Sequence, residues 1–535
     1  MIKSLTLTLL LSGAGVLITL GAESGSPPAM AWHFVGFKAL KASSPDAVFN
    51  ELGGLKNSEL VGGEARGRLT EFLPGWFGLD STKLSADVIA PLIAESLEQE
   101  SAARFEGDHL TSGDWVVAVQ FAPGGADRWQ SALLTVGRRL GLGEPAPLKI
   151  DGLAGWELPG RAAARGFAFL VQRDWVLFAS GFKINSPGAR WAASLAKDGR
   201  PLPQPGNDWL AFELHPAAVN WHPSLPFAGP LAHINSAFSW QKKDIRTIAK
   251  LTLTEDRKAP GAAWQIPKGI ANDPLVSFTA VRNLQKFFAG LDPMKGLNSG
   301  LIPDQWFGWS RSSVAFIDDF AVPVNDGEKV FDHLTKTVPA TYNPRLLELA
   351  LGQWLSATNN ARVLWRGLPL LVPYFGPKKD GSQDFIQGGI FPLTEQTNAT
   401  PAPAELFAQF ESRNELVYYD WEISPARLAA YKQMSQFLDL FLPSAKAEAG
   451  TYGAEWLAEI QPKLGNVITE VAVGGPRELV VTRRSQVGMT GIELWLFTHW
   501  LDSETFPKFP YSMPKRPTPG ARPAGLPGAT PPGQP

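Results

Sequence analysis

The chain has 535 residues, of which 44% are hydrophobic and 19% charged, and its formal net charge is -2. This length exceeds what one hydrophobic core can organise, so roughly two to four domains are expected. The balanced charge and the lack of clustered Lys and Arg exclude broad binding to nucleic acid or anionic membranes. The absence of cysteine excludes disulfides, thiolate metal sites and cysteine nucleophiles.

The N-terminus has the pattern of a secretory signal. Lys3 supplies a short basic region, an apolar run extends to Leu20, and Ala22 is a small residue at a cleavage position. We therefore expect residues 1–22 to be a signal peptide and the mature protein to be periplasmic or extracellular. A retained membrane anchor is the alternative, although small and polar residues around Gly13 interrupt the run. No membrane span is expected after cleavage.

Three stretches share one strand pattern, in which Asp-Trp precedes a run of apolar residues. Asp is common in turns, whereas aromatic and β-branched residues favour strands, so each stretch predicts a strand entered from a turn. Both alternating faces are apolar near each start, which predicts central strands covered on both sides. The three stretches are 114–119, 174–179 and 208–214.

Helical patterns separate these strands. Ser44 as N-cap, Pro45 at the first helical position and Gly53 after the end predict a short helix. Residues 55–106 are interpreted as a helical insertion. A regular apolar stripe that begins at Trp129 predicts another helix.

The second half of the chain repeats the plan of the first. The pattern of Ala31–Leu40 returns at Leu275–Leu284, and that of Asp244–Thr254 returns at Gly488–Thr498. Weaker correspondences link 115–119 with 313–317 and 207–212 with 414–419. Chance similarity between α+β segments is the alternative to a true duplication.

The sequence therefore predicts an α+β fold of two tandem similar domains, each a mostly antiparallel sheet with packed helices. The predicted boundaries are 30–258 for the first domain and 274–503 for the second, with a linker at 259–273. Residues 506–535 are rich in Pro and Gly and are expected to form a disordered tail. This layout resembles exported bacterial proteins grouped as families of unknown function, and the resemblance implies no activity.

Familiar catalytic motifs are missing from the sequence, which lowers the expectation of an enzyme. Asp318-Asp319 follows a predicted strand at 314–317, but adjacent strand residues face opposite ways, so a turn is favoured over a paired-carboxylate site. His215, His222 and His233 are close in sequence, but spacings of 7 and 11 match no zinc-ligand pattern. No metal and no cofactor are predicted.

The high tryptophan content, 19 Trp against 7 Tyr, leaves one candidate binding surface. Most Trp lie in strand or helix patterns, where core packing explains them. In the second half a helix at 424–441 is expected to cover the strand at 416–419, and the first half lacks that helix. The insertion at 55–106 and the stretch at 221–226 are the internal segments that could cover the equivalent strand instead. If neither packs there, an apolar groove is left open, and we place a candidate ligand site in it, at Trp209, His215, Trp221, His222 and Trp240.

These observations favour a non-catalytic binding or scaffolding protein of the cell envelope. Its partner is expected to be another envelope protein or a small apolar or glycan ligand. The alternatives are a periplasmic hydrolase with an unrecognised active site, and a carrier of an apolar or glycan ligand.

Overall fold

A computed structural model describes residues 28–76, 86–107, 113–160, 166–203, 206–257, 262–311, 317–357, 362–367, 371–391, 400–441, 452–503 and 506. The predicted signal peptide, most of the predicted tail and the predicted strand residues 314–316 lie outside these ranges. Within the described ranges, no helix combines the length and the hydropathy needed to cross a bilayer.

The fold is mixed α+β. The first half contains, in chain order, β1 Met30–Phe34, α1 Phe37–Ser43, α2 Val48–Gly53, α3 Lys56–Trp76, α4 Ala86–Glu98, β2 Ser101–Glu106, β3 Asp114–Gln120, α5 Ala126–Arg139, β4 Ala146–Ile150, β5 Leu153–Leu158, β6 Phe167–Gln172, β7 Trp175–Ala179, α6 Pro187–Asp198, β8 Asp208–Leu214, β9 Ser224–Leu225, β10 Gly229–Gln241 and β11 Asp244–Leu253.

The second half begins at a short strand and ends in a helix. It contains β12 Asn272–Asp273, β13 Ser277–Arg282, α7 Gln285–Ala289, β14 Gln305–Ser310, β15 Asp318–Val324, α8 Gly327–Glu348, β16 Gln353–Ala357, β17 Arg362–Arg366, β18 Tyr374–Asp380, β19 Gln383–Gly389, β20 Thr400–Pro401, α9 Ala404–Ala408, β21 Leu416–Ile423, α10 Ser424–Phe441, α11 Tyr452–Ile460, β22 Asn466–Gly475, β23 Glu478–Ser485 and α12 Gly491–Asp502.

Two large antiparallel sheets organise these strands. One has the order β4-β5-β6-β7-β3-β2-β1-β8, and the other has the order β16-β17-β18-β19-β15-β14-β13-β21-β22-β23-β11-β10-β9. β8 of the first sheet also lies alongside β10 of the second. The strands of the first half therefore extend into the sheet that contains most of the second half.

The two predicted domains do not form two separate sheets. β11 pairs with β23 from Ile245 opposite Ser485 to Thr252 opposite Glu478, and this pairing joins the halves. The part of the predicted linker that is described is packed, since Trp264 is buried in the core beside Phe307 and Phe410.

The Asp-Trp strands are confirmed as β3, β7 and β8. β7 is covered on both sides as expected: Leu177 packs in the core that includes Trp191 of α6, while Val176 packs in the core that includes Trp129 of α5. β8 differs, because most of its residues are half-buried and it lies at the end of its sheet.

Several predicted elements need correction. The insertion ends before Ser101, because β2 pairs with both β1 and β3 as a central strand. The helix predicted from Ser44 begins at Val48, after Ala47 as N-cap. Residues Asp318 and Asp319 begin β15 and do not form a turn.

The largest error concerns Gly488–Thr498, which was matched to strand β11. This segment contains the start of helix α12, whose first turn is closed by a capping box. The Thr490 hydroxyl accepts from Glu493 N, and the Glu493 carboxylate accepts from Thr490 N at 2.7 Å.

The same Glu493 anchors α12 to the sheet. Its carboxylate accepts two hydrogen bonds from Arg483 of β23, at 2.8 and 3.0 Å, and each side chain is 1% exposed. Burial favours the neutral acid and raises the pKa of Glu493, while Arg483 opposes that rise. Both side chains are buried, so water cannot solvate either charge if its partner is removed.

Replacing Arg483 by Met should lower the free energy of unfolding by about 3–5 kcal/mol, because the Glu493 charge then stays buried without its partner. Denaturant unfolding would measure this. Arg477→Met is the matched control, since its pair with Asp256 is exposed and should contribute less than about 1 kcal/mol. The double variant Arg483→Met/Glu493→Gln should recover part of the loss. Equal effects of Arg483→Met and Arg477→Met would contradict this account.

Candidate functional site

The structure brings two of the predicted site residues into one aromatic cluster. The rings of Trp209 in β8 and Trp240 in β10 have centroids 5.8 Å apart. Phe49 of α2 lies 6.4 Å from Trp209 and 6.3 Å from Trp240, and Phe238 lies 5.4 Å from Trp209. Trp240 also donates from Nε1 to the Ser43 hydroxyl at 3.0 Å. Helix α2, through Phe49, and Ser43 at the end of α1 therefore cover the face of β8 that was expected to be open.

The other predicted residues separate. Trp221 packs against the apolar core around Leu225 and Phe227. His222 is exposed. His215 lies immediately after β8 and turns toward β10, where its ring stacks on that of His233 with centroids 4.3 Å apart. The five predicted residues thus form no single pocket lining.

His215 belongs instead to a cluster with Glu213 and His233. Nε2 of His233 lies 3.0 Å from Oε1 of Glu213. Burial and the neighbouring His233 lower the pKa of His215, and Glu213 partly opposes this shift. The three side chains offer one ligand atom each, and these atoms lie within 4.8 Å of one another. Sequence analysis named the two histidines but not Glu213. Glu213 lies two residues before His215, and in an extended strand this spacing puts both side chains on the same side, which was the signal for it.

The second half has a different polar cluster, between its strands and α10. Nη1 of Arg427 donates to Oδ1 of Asp318 at 2.9 Å, and Nη2 donates to the Tyr431 hydroxyl at 2.8 Å. Asp319 faces away from Asp318, accepts from the Tyr374 hydroxyl at 3.2 Å and forms an ion pair with Nε of Arg311 at 2.8 Å. The two acids therefore have separate partners, and they cannot act as a carboxylate pair.

Helix α10 does not pack on the strand at 416–419 as the sequence predicted. Leu428 packs with Ile460, Leu464 and Leu494 and not in the core of the strand at 416–419, and Tyr431 packs on Trp495. The side chains of 438 and 441 lie outside the described part of the chain. The helix thus covers its neighbours α11 and α12.

One acid in this half has a strongly altered titration. Burial and the nearby Glu422 raise the pKa of Asp420 to about 7, while the hydroxyl of Thr279, which donates to Oδ1 of Asp420 at 2.6 Å, opposes the shift. A raised pKa can mark a functional acid, but a structural network produces the same shift. The Thr279 bond and the antiparallel pairing of the two residues favour the structural role.

A third surface is apolar and exposed. It comprises the end of α8, the turn that follows and edge strand β16, and we call it the leucine surface. Its exposed residues, with their exposed fractions, are Tyr342 44%, Leu347 57%, Leu349 48%, Leu351 36% and Leu355 38%. Sequence analysis missed it, although the run Leu346-Leu347-Glu348-Leu349 was a visible signal.

Comparison of the chain with profiles of protein families, with curated proteins and with solved structures found no match. Function must therefore be argued from these surfaces alone.

The titration of Asp420 predicts a pH-dependent stability. Its pKa of about 7 in the folded state exceeds the ordinary value of 3.8. Between these two pKa values the folded state holds a proton that the unfolded state releases. The contribution of Asp420 to the free energy of unfolding is therefore complete below pH 4 and is lost as the pH rises through 7. Asp420→Asn, which keeps an acceptor for Thr279, should be the more stable protein at pH 8 by on the order of 1–3 kcal/mol and close to wild type near pH 4.

Denaturant unfolding across this pH range measures the difference. The surface variant Asp256→Asn is the control and should change stability little at either pH, since its carboxylate is 68% exposed. Parallel stability curves for wild type and Asp420→Asn would show that this acid is not the source.

Proposed function

We propose that this protein is an exported, non-catalytic binding and scaffolding protein of the cell envelope, which associates with a second copy of itself through the leucine surface. The observation that carries the proposal is the cluster of exposed leucines beside the edge strand β16. Contiguous exposed apolar side chains on a soluble protein usually mark an interaction surface.

The two ends of the strand array support this assignment by contrast. β4, at one end, is protected by Pro147, which has no N–H to donate, and by exposed Lys149. β16, at the other end, has the sequence Gln-Trp-Leu-Ser-Ala without charge or proline. Among the described strands β16 pairs with β17 alone, and the Asn343 side chain of α8 bonds the outer N–H and C=O of Trp354 at 2.7 and 3.0 Å, so only the part of β16 beyond Trp354 can accept a further strand.

Of the two described outer strands β4 and β16, only β16 lacks proline and charge, and this difference favours a closed dimer. If both ends accepted strands, chains would add without limit, whereas a single open edge pairs with its own copy about a two-fold axis. In that arrangement two β16 strands pair and the leucine surfaces of both copies are buried against each other. A different envelope protein, or an apolar or glycan ligand, is the competing partner.

We also propose that the chain is an internal duplication. The support is strand order: β4-β5-β6-β7-β3-β2-β1-β8 followed by β10 and β11 has the same sequence of connections as β16-β17-β18-β19-β15-β14-β13-β21-β22-β23. Helices α5 and α8 occupy the same place in this order, between the third strand and the fourth. The two repeats would meet edge to edge through β11 and β23.

Self-association can be measured by sedimentation velocity and light scattering over a range of concentrations. Wild type should dimerise, and Leu355→Lys should shift the equilibrium to monomer because it places a charge on the pairing edge. Ile184→Ser is the matched control, since Ile184 is 91% exposed but lies outside the leucine surface. A wild-type protein that stays monomeric at the highest attainable concentration, or a Leu355→Lys variant that dimerises like wild type, would refute the dimer.

Export has its own test. Expression of the full chain in a secreting bacterial host should give a mature protein that begins at Glu23, because cleavage follows Ala22. Intact-mass measurement of the purified protein reads this directly. A mass that includes Met1, together with membrane association, would support the retained anchor instead.

A further inference from the structure

Two strands bring three metal-binding side chains together. Glu213 and His215 are two residues apart at the end of β8, so extended backbone directs both side chains to the same side. His233 comes from β10, which runs alongside β8. The backbone N–H of His215 donates to Ala29 O at 2.9 Å, which holds this residue against β1. All three residues are thus carried by paired strands.

His215 has a buried ring nitrogen without a protein partner. Its Nε2 is the one histidine nitrogen in the described residues that is both buried and without a hydrogen bond. His33, whose whole side chain is buried, instead has Nε2 at 2.7 Å from Glu100. Leaving a polar atom buried without a partner costs free energy, so a water molecule or an ion is expected to bond to it.

The pair formed by Glu213 and His233 does not relieve this cost. Their contact at 3.0 Å uses Nε2 of His233 and leaves Nε2 of His215 unbonded. The stacked rings place His215 beside His233 with 21° between their planes, and one ring has to rotate before both can bind one ion in their ring planes.

We propose that Glu213, His215 and His233 bind one divalent transition-metal ion, with Zn²⁺ as the preferred ion. Two imidazoles and one carboxylate form a common zinc ligand set, and metal–ligand distances are about 2.0–2.2 Å. Ligand atoms around a tetrahedral ion are therefore about 3.4 Å apart, so the groups, now within 4.8 Å of one another, need to move by about 1 Å or less.

The side chains of Glu213 and His233 are 17% and 23% exposed, so an ion can enter from solvent. Three protein ligands leave a fourth position for water or for a carboxylate or phosphate of a bound molecule. The proposed ligands differ from the three histidines that were considered from their spacing in the sequence. Spacing along the chain treated His222 as the third ligand, whereas the fold exposes His222 and provides Glu213. The proposal is independent of the leucine surface, which lies on other strands.

The test uses untagged full-length mature protein, because a histidine tag would itself bind the ion. Isothermal titration with Zn²⁺, and metal analysis after equilibrium dialysis, give affinity and stoichiometry. Co²⁺ provides a spectroscopic probe, since its visible absorption reports coordination by nitrogen and oxygen. The variants are His215→Ala, His233→Ala and Glu213→Gln, and His222→Ala is the matched control from the same stretch of chain.

One equivalent of Zn²⁺ should bind to wild type and to His222→Ala with equal affinity. Each ligand variant should bind at least about tenfold more weakly, since even residues that merely orient metal ligands contribute 10–100-fold. Thermal unfolding in the presence of a chelator checks that the variants are folded. Binding that survives both histidine substitutions, or no stoichiometric binding by wild type, would overturn the proposal.

Discussion

The pairing of β11 with β23 is the constraint on which the rest of the structure depends. It joins the two halves along eight residue pairs, and the side chains on one face there, including Ala249 and Val481, are completely buried. On β23 the same segment presents Arg483 to Glu493 and so fixes α12. Loss of this pairing would expose two apolar strand edges and leave a buried ion pair unsupported, so neither half is expected to be stable by itself.

The β11–β23 pair lies within the strand order, and the remaining strands of the two halves follow on either side of it. The outer ends then differ in their chemistry. Pro147 and Lys149 protect β4, whereas β16 has neither proline nor charge, is covered at Trp354 by the Asn343 side chain and has Leu355 exposed. If the halves arose by duplication, this difference shows how one repeat can keep a protected edge while the other acquires an interaction surface.

The ionisable groups divide according to what surrounds them. Arg427 of α10 donates to both Asp318 of β15 and Tyr431, so these contacts hold α10 against the sheet. Glu213, His215 and His233 lie where β8 meets β10, and one of their nitrogens has no protein partner. The first cluster is therefore a structural network, and the second is a place where a ligand can complete the coordination.

The sequence by itself determined the local elements whose signals are local. Alternation predicted β11, Asp-Trp starts predicted β3, β7 and β8, and a helical stripe predicted α5. Tertiary structure alone decided which strands pair, because pairing depends on apolar faces that are distant in sequence. It made 101–106 a central strand, turned the strand-like residues at 491–498 into α12 beside Arg483, and brought His215 to His233. Propensity acts over a few residues, whereas contacts between β8 and β10, or between β11 and β23, are set by burial across the whole chain.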